Sequence, residues 1–284
     1  MPRSSCLCGA VSWDVSGALQ FMSHCHCGRC RKTRGTAFST EVAAPADSFA
    51  LRGREQVARY GSPPELIRSF CSRCGSVVPG DAWQGLVFVP AGCFDDDPGV
   101  RPMSHIFVAS KAPWDDISDE LPQFDAYPPG VDAVVLDDLP RSHSGTEPRG
   151  SCLCGGVQFA LTATPILAHH CHCTRCRKNS AAAHSSSLAV PIDGVHFRAG
   201  EELLVTYKLP EARFFAHSFC RRCGGKLPYR DVARGMALVP LGAFDDDPGI
   251  RPMAHIFVGS KAPWFEIHDT LPQYVEHYAQ AADR

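Results

Sequence analysis

Two thiol clusters, each of seven cysteines, carry the chemistry legible in this chain, because the arrangement C-x-C … C-x-C-x-x-C … C-x-x-C occurs twice. The first copy is Cys6, Cys8, Cys25, Cys27, Cys30, Cys71 and Cys74; the second is Cys152, Cys154, Cys171, Cys173, Cys176, Cys220 and Cys223. A structural zinc ion takes four protein ligands in a tetrahedron, whereas a reactive one takes three and keeps a position open. Seven thiolates divide into four plus three. The pattern therefore predicts one closed and one open Zn2+ site in each copy, two per domain and four in the chain.

Cys6 and Cys8, read as alternate residues on a strand, face one side and present both sulfurs to one ion. Gly9 and Gly155 follow the two C-x-C pairs and let the chain turn away. Cys71-Ser-Arg-Cys74-Gly75 and Cys220-Arg-Arg-Cys223-Gly224 read as zinc knuckles. Together they make a structural set, Cys6, Cys8, Cys71 and Cys74, and its copy Cys152, Cys154, Cys220 and Cys223. The triplets Cys25-His-Cys27-Gly-Arg-Cys30 and Cys171-His-Cys173-Thr-Arg-Cys176 place three thiolates within six residues, enough to cap one face of an ion and leave the other exposed. The alternative is a second structural ion closed by a fourth ligand. Cys93 could supply it in the first copy, but Ala243 stands at the matching place in the second. His26 and His172, lying between ligand cysteines, are expected to point away from the metal.

His24 and His170 abut the triplets and are the candidate proton donors, weighed against a plain structural hydrogen bond. Arg29, Arg31, Lys32 and Arg34, with Arg175, Arg177 and Lys178, crowd the triplets. They suit either of two compatible roles: offsetting the charge of zinc thiolates or gripping an anionic substrate. The acidic run Asp95-Asp96-Asp97 before Pro-Gly reads as a solvated turn.

The elements that must position these groups are strands. VSWDVSG alternates, GLVFVPAG and MALVPLGAF are short apolar runs bounded by Gly and Pro, and HIFV ends in a turn. Helical periodicity is weak, with RCRK a candidate for a single turn. The segment DDDPGVRPMSHIFVASKAPW recurs as DDDPGIRPMAHIFVGSKAPW, which marks a tandem duplication. The sequence predicts an all-β protein with a first zinc domain over 3–127, a linker over 128–148 and a second zinc domain over 149–278, with short irregular helical turns. Within the linker the apolar VDAVVL is a candidate strap, and the two repeats are candidates to pack as an intramolecular pseudo-dimer.

At 284 residues the chain is long enough for two cores, and a formal charge of −2 without a basic stripe argues against a nucleic-acid partner. No secretory h-region opens it and no apolar run is near bilayer length, so a soluble, cytoplasmic protein without a membrane partner is expected. In a reducing compartment the cysteines are metal-bound rather than paired as disulfides.

At SCLCGAV, CHCGRCRK, FCSRCGS and HIFVASKAPW, and again at SCLCGGV, CHCTRCRK, FCRRCGG and HIFVGSKAPW, the chain resembles the glutathione-dependent formaldehyde-activating family, which also contains centromere protein V. The resemblance covers nearly everything but the linker. It implies a β-tent fold in each repeat, a structural zinc on the four-cysteine sets, and a reactive zinc on Cys25, Cys27 and Cys30 and on Cys171, Cys173 and Cys176. Two departures stand out. Members of the family usually carry one domain, and the stretch GTAFST after the first triplet becomes SAAAHSSS in the second repeat, without its aromatic residue.

The implied activity is that of a zinc-dependent carbon–sulfur lyase or synthase of the S-(hydroxymethyl)glutathione synthase kind. A soft three-thiolate zinc accepts a small glutathione-like thiol, whose sulfur attacks an aldehyde such as formaldehyde to form an S-hydroxymethyl adduct. The same site would cleave that adduct. A non-catalytic zinc- or thiol-binding module, or a protein-interaction module, is the alternative.

Overall fold

The computed structural model describes residues 3–62, 66–136, 139 and 147–278. Its two halves repeat one mostly-β plan. In the first, a mixed five-stranded sheet runs in the order Gln123–Phe124, Pro102–Ile106, Met22–Cys25, Ser39–Pro45, Leu86–Pro90. The first three strands are parallel and the remainder antiparallel. The second half repeats the central strands as His255–Ile256, Leu167–Cys171, Ser185–Pro191 and Met236–Pro240, with Tyr229–Asp231 added at the far edge. The alternation in Ser12–Val15 buries Trp13 and Val15 and leaves Ser12 and Asp14 partly solvated, as a half-buried strand requires.

Each half adds a three-stranded antiparallel sheet and a separate hairpin, which Lys226–Leu227 extends to a third strand in the second half. The sheet is Arg3–Ser5, Ser12–Val15 and Phe49–Arg52 in the first half, and Arg149–Ser151, Gln158–Leu161 and Val195–Ala199 in the second. Cys6 and Cys8 lie in the turn joining its first two strands, not on a strand as the alternation suggested. The turn works as well as a strand would. Gly9 adopts φ 73°, which only glycine takes cheaply, and folds the two sulfurs onto the same side. The hairpins Val57–Ser62/Leu66–Cys71 and Leu204–Lys208/Ala216–Cys220 deliver the first cysteine of each knuckle at a strand end.

Helix is confined to short pieces, as expected, but the RCRK segment is longer than one turn. Helix α1 spans Gly28–Arg34 and α2 spans Thr174–Ser180. Cys27 and Cys173 are their N-caps, each sulfur accepting from the amide three residues on. At the C-terminus Gly35 takes the left-handed conformation; Ala181 does so in the second half, at φ 51°.

The buried apolar side chains of the two halves form one continuous cluster, with Trp13, Phe94, Phe159, Phe244 and Trp264 among its largest members. The halves meet through close backbone contact: a Cβ on Gly92 would stand 2.2 Å from Ala182 O, and one on Gly242 2.5 Å from Arg31 O. The linker's VDAVVL does not pack as a strap. Val131, Val134 and Val135 are exposed, and Leu139 alone of the described linker residues packs against the core. Residues 137, 138 and 140–146 of the linker lie outside the described residues. No helix among the described residues is long and apolar enough to cross a membrane.

Candidate metal centres

Four sulfurs converge in each half. Those of Cys6, Cys8, Cys71 and Cys74 lie within 4.8 Å of one another, as do those of Cys152, Cys154, Cys220 and Cys223. The contacts Cys6–Cys8 at 3.6 Å, Cys8–Cys71 at 3.7 Å, Cys152–Cys154 at 3.4 Å and Cys154–Cys220 at 3.9 Å are far too long for disulfides. They match the edge of about 3.8 Å that a tetrahedron with zinc–sulfur bonds of ~2.3 Å demands. Three of the four cysteines in each set are buried. Backbone amides of Val11 and Val157 donate to Cys6 and Cys152 at 3.3 Å, support that suits thiolates. Hydrogen bonding to Cys71 pushes the Cys6 thiol well up, while hydrogen bonding from Cys6 pulls Cys74 well down. Such a crowd of sulfurs ionises together only around a cation, so the donor set fits zinc.

The triplets gather three sulfurs each, Cys25 with Cys27 and Cys30, and Cys171 with Cys173 and Cys176, again within 4.8 Å. Each triad is assembled from a strand end, a helix N-cap and the first turn of that helix. Among the described residues no fourth His, Cys, Asp or Glu joins either group. Cys93 lies instead in the turn Ala91–Cys93, completely buried, its thiol pushed up to about 12 by burial. Cys27 and Cys173 remain partly exposed. Two concavities of about 380 and 320 Å³ include no triad cysteine.

His26 turns away from the sulfurs, as its place between them requires. Its Nε2 bonds His105 Nδ1 at 2.8 Å, and His105 Nε2 bonds the Asp119 carboxylate at 3.0 Å. His172, His255 and Asp269 repeat the chain of contacts in the second half. His24 and His170 are also buried in this cluster. His24 Nδ1 is taken by Thr40 and His170 Nδ1 by Ser186, both at 2.9 Å, and burial holds both rings neutral by lowering their pKa well below the usual range. These are structural hydrogen bonds, and a ring kept from protonation is a poor proton donor.

Three of the basic residues beside the triplets, Lys32, Lys178 and Arg34, reach across to the other repeat. Lys32 donates to Ser151 O at 2.8 Å, Ser151 Oγ at 2.9 Å and Ala243 O at 3.2 Å, and pairs with Asp245 at 2.6 Å, all in the other repeat. Lys178 does the same toward Ser5 and Asp95. Arg34 holds Ala181 O and Glu41. The first aspartate of each acidic run is thus an inter-repeat anchor, while Asp97 caps its own turn through Gly99 and Arg101 as a solvated turn should.

Two residues near the first triad escaped the sequence reading. Arg68, from the knuckle hairpin, brings Nη1 to 4.0 Å from Cys30 Sγ. Tyr127 is held protonated by burial and then by the nearby charges of Cys25, Cys27 and Cys30. Its ring packs edge-on against Phe107 at 4.8 Å. Phe107 and Phe257 sit at φ 59° and 57°, a strained conformation for a bulky residue that both repeats keep. The absent aromatic of the second repeat is also accounted for. His184 takes the place of Phe38, and Phe265, standing where the first repeat has Asp115, packs against His172, His184 and Phe38.

The sequence is matched by a known family. The sequence profile described as "Glutathione-dependent formaldehyde-activating enzyme" matches residues 1–110 and 147–260. The chain belongs to this family, as a tandem duplication of its domain. A crystal structure of a Rhodobacter sphaeroides protein is similar at 22% identity, covering 37% of this chain and 97% of that one, with a TM-score of 0.31. A search of curated proteins finds no match.

Proposed function

We propose that the protein is a zinc-dependent carbon–sulfur lyase/synthase that joins a small thiol of the glutathione class to an aldehyde such as formaldehyde, and cleaves the adduct. The observation that carries this reading is the pairing, in each repeat, of a four-sulfur set with a three-sulfur set that no fourth donor joins among the described residues. The first would hold a structural ion, through Cys6, Cys8, Cys71 and Cys74 and through Cys152, Cys154, Cys220 and Cys223. The second would hold a reactive ion, through Cys25, Cys27 and Cys30 and through Cys171, Cys173 and Cys176. Four ions per chain follow. Zinc bound by three thiolates supplies a soft position that favours a further sulfur and lowers a thiol's pKa.

The thiol sulfur then forms a bond to the carbonyl carbon, the carbonyl π pair moves to oxygen, and that oxygen takes up a proton. We take the Tyr127 hydroxyl as the candidate source of that proton rather than His24, whose ring is neutral and engaged by Thr40. The two repeats, over 3–127 and 149–278, work as an intramolecular pseudo-dimer in a cytoplasmic protein, and the lysines beside the triads serve that packing.

The test is exchange between free formaldehyde and its glutathione adduct, followed by NMR line broadening, on zinc-loaded protein. Because the adduct forms spontaneously, the expected result is an exchange rate above that of buffer, lost in Cys27→Ser and lowered at least tenfold in Tyr127→Phe. Exchange no faster than buffer, with glutathione still bound, would replace the enzyme by a thiol-binding module.

A further inference from the structure

We infer that the two triads are unequal, and that the first is the chain's principal thiol-capture site because Arg68 stands beside it; this rests on the thiol-capture reading above. Three thiolates around a divalent ion already leave one net negative charge, and a fourth adds another. Whether a thiolate enters then depends on the fixed charges around the sulfurs. At the first triad a guanidinium is built in: Arg68 Nη1 lies 4.0 Å from Cys30 Sγ. The residue projects from strand Leu66–Cys71, whose end is a knuckle cysteine, so the structural set fixes its position. Its Nε is shielded from water and has no hydrogen-bond acceptor. The nearby carboxylate does not take Arg68, since Glu41 bonds Arg34.

At the second triad every part of this arrangement is missing. Strand pairing places His217 where Arg68 stands, and its Nε2 is turned across the repeat interface to Cys74 O at 2.8 Å. Ser187 and Ser180 replace Glu41 and Arg34. Lys178 is bound to Ser5 and Asp95. Arg177 and Arg175 have counterparts in Arg31 and Arg29, so they do not distinguish the sites. Duplication has thus kept both donor sets and made the charge beside them different.

The experiment is isothermal titration of the zinc-loaded full chain with reduced glutathione and, separately, with uncharged 2-mercaptoethanol. Unit charges about 4 Å apart near a protein surface interact strongly enough to change binding by about tenfold to a hundredfold after screening. Each thiol is therefore expected to show two classes of site separated by at least about tenfold. Arg68→Met should merge the tight class into the weak one at unchanged zinc content, and Arg68→Lys should keep it. Equal affinity at the two sites of the wild-type chain, a test that needs no variant, overturns the inference. So does a tight class that survives Arg68→Met, or one seen with glutathione alone, which would assign Arg68 to a substrate carboxylate. No thiol binding at either site would overturn the thiol-capture reading itself.

Discussion

Lys32 and Lys178 occupy equivalent positions and do the same job, yet their removal should cost very different amounts. The Lys32 side chain is 6% exposed and its partner Asp245 22%; for Lys178 and Asp95 the figures are 12% and 38%. Lys32 also satisfies two carbonyls, Ser151 O and Ala243 O, whereas Lys178 adds the hydroxyl of Ser5. Breaking a buried pair by removing one partner costs ~3–5 kcal/mol, because the other charge and the orphaned acceptors stay desolvated. Asp245 keeps some water, so Lys32→Met belongs at the lower end, about 3 kcal/mol. Lys178→Met breaks a pair open to solvent and should cost about 1 kcal/mol. Part of the larger penalty is the stranded carboxylate, so Lys32→Met/Asp245→Asn should recover about 1 kcal/mol of it. Urea unfolding of the zinc-loaded chain, followed by tryptophan fluorescence, measures all three. Equal losses for the two lysines, or a loss below 1 kcal/mol for Lys32→Met, would refute the view that burial of this contact holds the repeats together.

Three further outcomes follow from the same geometry. Burial pushes the Asp115 carboxyl up to about 7, above the ~3.8 of the unfolded chain. Its contribution is therefore complete in acid and is lost as pH rises through 7, a difference of up to about 4 kcal/mol. Asp115→Asn, which mimics the protonated acid, should exceed wild type in stability by only about 1 kcal/mol near pH 4.5 and by up to about 4 kcal/mol at pH 8; a pH-independent difference would contradict this. Cys93→Ala should leave four zinc ions per chain by elemental analysis, since Cys93 lies outside both sulfur groups. Gly92→Ala should unfold the chain or lower its melting temperature by several degrees, because the new methyl would stand 2.2 Å from Ala182 O; an unchanged melting temperature would show that the two backbones do not meet there.

The sulfur clusters and the β class were readable because metal-ligand motifs are written in short spacings and strands in short apolar runs. C-x-C and C-x-x-C-G name their chemistry wherever the chain takes them, which is why the reading of Cys6 and Cys8 survives their being in a turn rather than on a strand. Tyr127 gave no such signal, since its relation to the first triad is set by a chain return of about a hundred residues, not by spacing. The basic residues of CHCGRCRK misled for the same reason: their partners, Ser151, Ala243 and Asp245, are more than a hundred residues away. Local composition showed only a positive cluster beside thiolates and could not show that it faces another domain.

Arg68 is the instructive case between these extremes. No motif marks it, but the duplication itself could have found it. Counted back three residues from each knuckle cysteine, Arg68 meets His217, a change of charge next to otherwise matching segments. Duplicated domains that pack on each other are under two demands at every position, one from the site and one from the interface. Arg68 answers the first by reaching Cys30, and His217 answers the second by reaching Cys74 O. A residue cannot do both, because the same strand position is aimed either at its own triad or across to the neighbouring knuckle. The difference in charge beside the two triads then goes with the packing: with this position of the second repeat reaching the first repeat's knuckle, the second triad has no counterpart of Arg68.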